Sequence, residues 1–339
     1  MKQNNFDFLR FYFAFIVVIG HLIFISDVPQ FKAFYPFFNT YTSVTGFFII
    51  SGFLISKSYS QSKSLKEYFV KRASRLLPAY IFVVSLCAIL LSFQSVYSFS
   101  AYFSDAGFYK YLLANFTFLN FLHPNLPGVF TSAGVTPDVN GALWTLKVEV
   151  AFYLSLPVIY TLFRKTNKKI YFLITLYFLS VIYSNSLEYL ALAKNNTSFS
   201  TLAHQLPGFI SYFVAGIAVY YYFDEYIKRK NQLLFLGIVF IAIDKMIGYE
   251  VLMPMGLALI VFFFAFSFKK INYFAKFGDI SYGIYVFHYP IIKLFTAWGL
   301  FTKYNPYLIS IVVITIVLTT GFLSWHLIEK RFLSRTRTL

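Results

Sequence analysis

Apolar and polar residues are segregated into long blocks along this chain. Predominantly apolar runs fall at 8–25, 41–55, 76–96, 143–163, 170–187, 206–223, 233–249, 251–268, 280–301 and 307–328. Each comes close to the ~20 residues that a helix rising 1.5 Å per residue needs to cross a ~30 Å hydrocarbon layer. The pattern predicts an all-α fold, a polytopic transmembrane helical bundle of about ten helices. Turn-rich or charged connections separate the runs. One connection is long, about 97–142, and its aromatic stretch at 108–121 is suited to lie along the membrane interface.

Composition changes this picture little. Of 339 residues, 58% are hydrophobic and 12% charged, against ~25% charged in a typical soluble domain. Length alone would suggest two soluble domains, but the repeated apolar runs predict one membrane domain over 1–339.

The formal net charge of +16 raises the question of nucleic acid, and the placement of the 29 Lys and Arg residues answers it. One precedes the first run, six lie in 57–75, four in 164–169, three in 228–230, three in 269–276 and four in 330–337. The alternate connections hold only Lys32, Lys110, Lys194, Lys245 and Lys303. Positive charge collects on the cytoplasmic side of membrane proteins. Both termini are therefore expected in the cytoplasm, with a tail at about 329–339, in a multi-pass protein of the plasma (inner) membrane. The expected partners include the lipid bilayer and exclude nucleic acid. The single cysteine, Cys87, lies within an apolar run, so thiols supply neither a disulfide framework nor a metal cluster. No metal is implied. The first run follows Lys2 without a small-residue cleavage site, which reads as a retained helix.

Ionisable groups inside a span are costly, so each is a functional hypothesis. Arg10 and His21 are eleven residues apart on the first helix, which leaves them about 20° from a common face and about 16 Å apart along the axis. Arg10 is expected near the cytoplasmic surface and His21 nearer the outside. Glu149, on the inward-running fourth helix, reaches nearly the depth of His21. A carboxylate there would fix one imidazole tautomer and raise its basicity, as a general base for a hydroxyl requires. Ser51-Gly52 and His288 are placed to continue a polar path. Lys71, Arg72 and Arg75 precede Leu76-Leu77-Pro78, read as the start of the third helix. Clustered guanidinium groups suit phosphates, which acyl-CoA carries. Structural alternatives stand beside each reading: Arg10 as a snorkelling anchor, His21 in an interhelical hydrogen bond, Ser51-Gly52 as a close-packing site, His288-Tyr289-Pro290 as a helix break, the basic cluster as cytoplasmic charge, and Glu149 in a buried ion pair.

Phe6-Asp7-Phe8-Leu9-Arg10 followed after ten residues by His21 resembles the first-helix signature of the acyltransferase family three membrane proteins. The blocks 46–55, 71–78, 144–153, 280–290 and 328–332 resemble further family blocks, in the family's order. The resemblance spans the chain. It implies a ten-helix membrane fold and transfer of an acyl group, most often acetyl, from acetyl-CoA or another acyl-CoA to carbohydrate of the cell envelope such as surface polysaccharide or lipopolysaccharide. It also implies that Arg10 and His21 are essential. Two positions depart from the family pattern: Lys147, where a small hydroxyl residue is frequent, and Arg331, where proline often follows Glu-Lys. Since the sequence ends at Leu339 without an appended esterase-like domain, the expectation is a single-domain carbohydrate acylase.

The expected catalytic pair is thus His21 and Glu149, with Arg10, Arg72, Arg75, Ser51 and Gly52 binding the donor and His288 in a second polar site. A different class remains open, a polysaccharide or small-solute transporter, which buried Arg, His and Glu residues would also serve. No internal repeat of the kind many transporters carry is evident in the sequence.

Overall fold

The structure, a computed structural model, describes residues 4–132, 135–166, 168–268 and 276–336. Lys2, Lys269, Lys270 and Arg337, which entered the charge count, and the end of the expected tail lie outside the described residues. Among the described residues, ten principal helices overlap the ten apolar runs: α1 (Phe6–Ser26), α2 (Thr40–Ser60), α3 (Leu65–Leu90), α4 (Trp144–Lys165), α5 (Lys169–Ala193), α6 (Leu206–Tyr221), α7 (Phe223–Ile247), α8 (Met253–Ser267), α9 (Ser281–Ala297) and α10 (Pro306–Ser324). Among the described residues the fold is all-α, with a lone bridge between Asn125 and Asp138. Among the described residues, seven helical segments are long and apolar enough to cross a membrane. The other three principal helices miss that standard for local reasons. α7 opens with Asp224, Glu225, Lys228, Arg229 and Lys230, while α8 and α9 have 15 and 17 residues.

The third helix begins eleven residues before the expected Leu76. Its start is a capping box: the Ser64 hydroxyl accepts from the Glu67 amide (3.1 Å), and the Glu67 carboxylate accepts from the Lys63 amide (2.7 Å). Lys71, Arg72 and Arg75 therefore stand on helical turns rather than in a connection, and Pro78 lies inside the helix. The long connection is partly helical. Asp105 caps a helix over Ala106–Phe116 that buries Phe108 and Tyr111 and exposes Tyr109 and Leu113, the two-faced character expected of that stretch.

The chain packs as two compact units. The first comprises Met1–Leu9, Tyr41–Phe69 and Val148–Ala275. Here α2 and α6 meet backbone to backbone, because a Cβ at Gly52 would lie 2.2 Å from the Phe213 carbonyl oxygen and one at Gly216 2.1 Å from that of Ile49. Small residues allow this approach where lipid supplies no hydrophobic drive between helices. Phe152 of α4 stacks on Phe213 with centroids 3.7 Å apart. The Asn5 amide donates to the Phe264 and Phe268 carbonyls, satisfying groups that the end of α8 leaves open.

The second unit comprises Arg10–Thr40, Val70–Lys147 and Lys276–Leu339. α9 packs on α10 with Gly283 against Gly321, and the Tyr282 hydroxyl ties α9 to the Leu76 carbonyl of α3 (2.9 Å). After α10 the chain makes a π-helical turn over Trp325–Glu329 and continues as a helix over Lys330–Thr336. Such single wide turns redirect side chains and are frequent at functional sites.

Candidate active site

Two polar clusters occupy the second unit. The first surrounds Asp279, immediately before α9 and 7% exposed. The Arg10 guanidinium reaches its Oδ2 at 2.6 Å, Arg75 donates to the same oxygen, and the Ser281 hydroxyl donates to Oδ1. Arg75 also meets Glu329 at 3.5 Å, and the π-helical turn leaves the Glu329 carboxylate facing the Ser324 hydroxyl at 2.8 Å. Burial alone would raise the Asp279 carboxyl, but Arg10, Arg75 and Ser281 outweigh it and hold it below the ordinary carboxylate range. Arg75 is further flanked by the rings of Tyr282 and Trp325, at 5.7 and 5.8 Å. Two guanidinium groups thus meet two carboxylates. Arg72 stands three residues before Arg75 on α3, partly exposed.

The second cluster centres on the histidines. His21 Nδ1 lies 2.7 Å from His288 Nε2, with the rings nearly parallel, and His288 Nδ1 lies 2.7 Å from the Tyr285 carbonyl oxygen. Those partners assign the tautomers. A carbonyl only accepts, so His288 Nδ1 carries the proton and its Nε2 bears the lone pair in the neutral ring. His21 must then donate from Nδ1, which leaves the His21 Nε2 lone pair as the basic position of the chain. His288 is fully buried, and the ring of Tyr289 stands edge-on to His21 at 5.4 Å.

Loop residues 136–140 secure this half of α9. Lys293, completely buried, donates to the Thr136 and Asp138 carbonyls and meets the Asp138 carboxylate at 3.1 Å. Its ammonium also sits 4.7 Å from the centre of the Phe130 ring. Burial would raise the Asp138 carboxyl, but hydrogen bonds from Thr136 and Tyr289 and the Lys293 charge keep it below the usual range. Asp138 is near enough to act electrostatically on His21. Pro290 has no N–H to offer the Val286 carbonyl one turn earlier, and the Asn140 amide satisfies that carbonyl at 2.8 Å.

In the first unit Glu149 accepts from Ser51 at 3.2 Å and from the Tyr153 hydroxyl one turn along α4. The neighbouring Gly52 is a packing contact on Phe213. In the second unit Lys147 places its ammonium 4.6 Å from the centre of the Phe121 ring. His21 falls in one unit and Glu149 in the other, each with the partners just named.

The structure therefore brings Arg10 to Arg75, His21 to His288, and Ser51 to Glu149. Sequence reasoning passed over Asp279, Asp138 and Lys293. A lysine inside the apolar run 280–301 was a signal for the last of these, whereas the two aspartates sit in connections where acidic residues are common. Among the described residues no three His, Cys, Asp or Glu side chains converge as a metal site.

Comparison with known proteins places the chain in a family. The family model described as an acyltransferase domain matches residues 3–325. The chain belongs to this acyltransferase family. It is 27% identical to the O-acetyl transferase of Shigella phage Sf6 over 99% of this chain and 97% of the phage protein. It is 30% identical to nodulation protein 10 of Rhizobium leguminosarum bv. viciae over 49% of this chain and 46% of that one. Peptidoglycan O-acetyltransferase OatA of Listeria monocytogenes is 25% identical over 74% of this chain and 44% of its own length. No solved structure matches the chain. In this acyltransferase, Arg10 and His21, eleven residues apart on one helix, thus belong to an ion-pair network and a histidine pair within a single unit.

Proposed function

We propose that this membrane acyltransferase moves an acyl group, acetyl first among the candidates, from cytoplasmic acyl-CoA to a hydroxyl of an extracytoplasmic or lipid-linked glycan. The names of the phage and Listeria relatives support O-acetylation. The observation that carries the reading is the His21–His288 pair, because it leaves an unprotonated Nε2 on His21.

In the proposed reaction the acceptor hydroxyl gives its proton to His21 Nε2 while its oxygen attacks the thioester carbonyl. The tetrahedral adduct collapses, the C–S bond breaks, and the departing CoA thiolate takes the proton back from His21 to leave as the free thiol. Proton count and charge balance, and no other reactant is needed. His288 keeps the His21 tautomer correct, and Asp138 supplies negative charge as His21 becomes cationic. Arg10, Arg72 and Arg75 are the proposed phosphate contacts of CoA. Arginines already ordered by carboxylates offer a pre-oriented fork for a further anion. Glu149, which accepts from Ser51 and Tyr153, is a proposed catalytic carboxylate, and Ser51 and Gly52 are proposed donor contacts. The distribution of basic connections supports cytoplasmic termini in the inner membrane.

The test uses membranes carrying the wild type or His21→Ala, radiolabelled acetyl-CoA and a cell-envelope glycan fraction. Alkali-labile label should appear in the glycan with wild type and fall by at least about 100-fold in the variant, the size of a general-base contribution. Equal labelling by both would overturn the mechanism. No labelling by inserted wild type with acetyl or longer donors would favour the transporter alternative.

A further inference from the structure

The first unit holds a cavity of about 510 Å3 that none of the chemistry above uses. It falls within the ~300–1,000 Å3 typical of small-molecule sites. Its walls come from the start of α2, from α5 and α6, and from the turn between α7 and α8.

That turn is unusually constrained. Glu250 is exposed, yet its backbone is in the left-handed region (φ 47°), which side-chain-bearing residues rarely adopt. Three neighbours clamp the main chain there: Tyr177 donates to the Val251 carbonyl (2.7 Å), Asn185 to that of Tyr249 (2.8 Å), and Asp244 accepts from the Leu252 amide (2.6 Å). Two phenols, Tyr41 and Tyr212, then converge on Glu250 Oε2 at 2.8 and 3.0 Å, and Glu250 itself lines the cavity. A solvated surface glutamate needs none of this, and strained residues held by their surroundings cluster at ligand clamps. Across the cavity Glu188 is held by the Ser200 hydroxyl at 2.9 Å and by His204 at 3.4 Å, and the His204 ring stands edge-on to Tyr41.

We infer that this cavity binds an uncharged, hydroxyl-rich sugar unit of the acceptor, an inference that rests on the glycan-acylation reading above. Two fixed carboxylates accept hydrogen bonds from vicinal hydroxyls, and the Tyr41 and Tyr249 rings in the lining add apolar surface at little rotamer cost. The same carboxylates repel phosphates, which assigns the cavity to acceptor rather than donor. In the proposed topology the connections that contribute His204, Gly248, Tyr249 and Glu250 to its lining lie on the outer side.

Saturation-transfer NMR on the full chain in lipid nanodiscs tests this with the methyl glycosides of glucose, galactose, rhamnose and N-acetylglucosamine, and separately with acetyl-CoA. At least one glycoside should give a signal that drops at least fivefold in Glu250→Gln and Glu188→Gln but persists in His21→Ala, while the acetyl-CoA signal stays constant. Glu250→Gly keeps the turn in a conformation glycine adopts freely, so it should fold and still lose the glycoside. No glycoside signal in wild type, or equal signals in all pocket variants, would overturn the inference. In the labelling assay, unchanged KM for glycan in Glu250→Gln alongside active wild type would remove the subsite and leave glycan acylation standing. Glu250-dependent glycoside binding without any labelling would do the reverse.

Discussion

A neutral imidazole has one donor and one acceptor, so its usefulness as a base depends on which nitrogen is already committed. His21 is committed by His288, and His288 in turn by a main-chain carbonyl, which cannot change its role. His288 is therefore a positioning residue in the proposed reaction. His288→Ala should lower kcat by about 100-fold with KM for acetyl-CoA nearly unchanged. A larger rise in KM than fall in kcat would mean that it shapes donor binding instead. His21 and His288 were each visible as titratable groups in apolar runs. Their partnership was not, because 267 residues separate them and only the packing of α1 with α9 within one unit brings their depths together.

At the scale of helices, the informative residues are those that set how closely elements approach. Gly52 was read as either a donor contact or a packing site, and its Cα faces the Phe213 carbonyl with no room for a methyl group. Gly52→Ala should force α2 and α6 apart and cost roughly 1–3 kcal/mol, as overpacking does. Thermal unfolding in detergent measures this. Normal stability with a raised KM for donor would assign Gly52 to the cofactor. One signal that acts within a single turn was passed over in the sequence. The Ser64–Glu67 capping box moved the start of α3 to Leu65, where the run of hydropathy alone had placed it at Leu76, since a hydropathy run begins where lipid begins, not where helix begins.

For the whole molecule, the outstanding physical quantity is orientation. On a Cys87→Ser background, Lys32→Cys and Lys303→Cys should react with a membrane-impermeant maleimide in intact cells, and Lys228→Cys only after permeabilisation. Labelling of Lys228→Cys in intact cells would invert the proposed topology and with it the sidedness of donor and acceptor.

The sequence by itself determined that the chain is an all-helical, apolar-run protein of the acyltransferase family, and it singled out Arg10 and His21. These properties are written in contiguous residues: hydropathy is a sum over neighbours, a cap spans four positions, and a motif has a fixed spacing. Tertiary structure decided the pairings, Arg10 and Arg75 with Asp279, His21 with His288, Lys293 with Asp138, and the clamped Glu250 turn beside its cavity. Such contacts depend on the rotation and depth of helices far apart in the chain. A one-residue change in register turns a side chain by about 100°, so no local pattern encodes which partner it will meet.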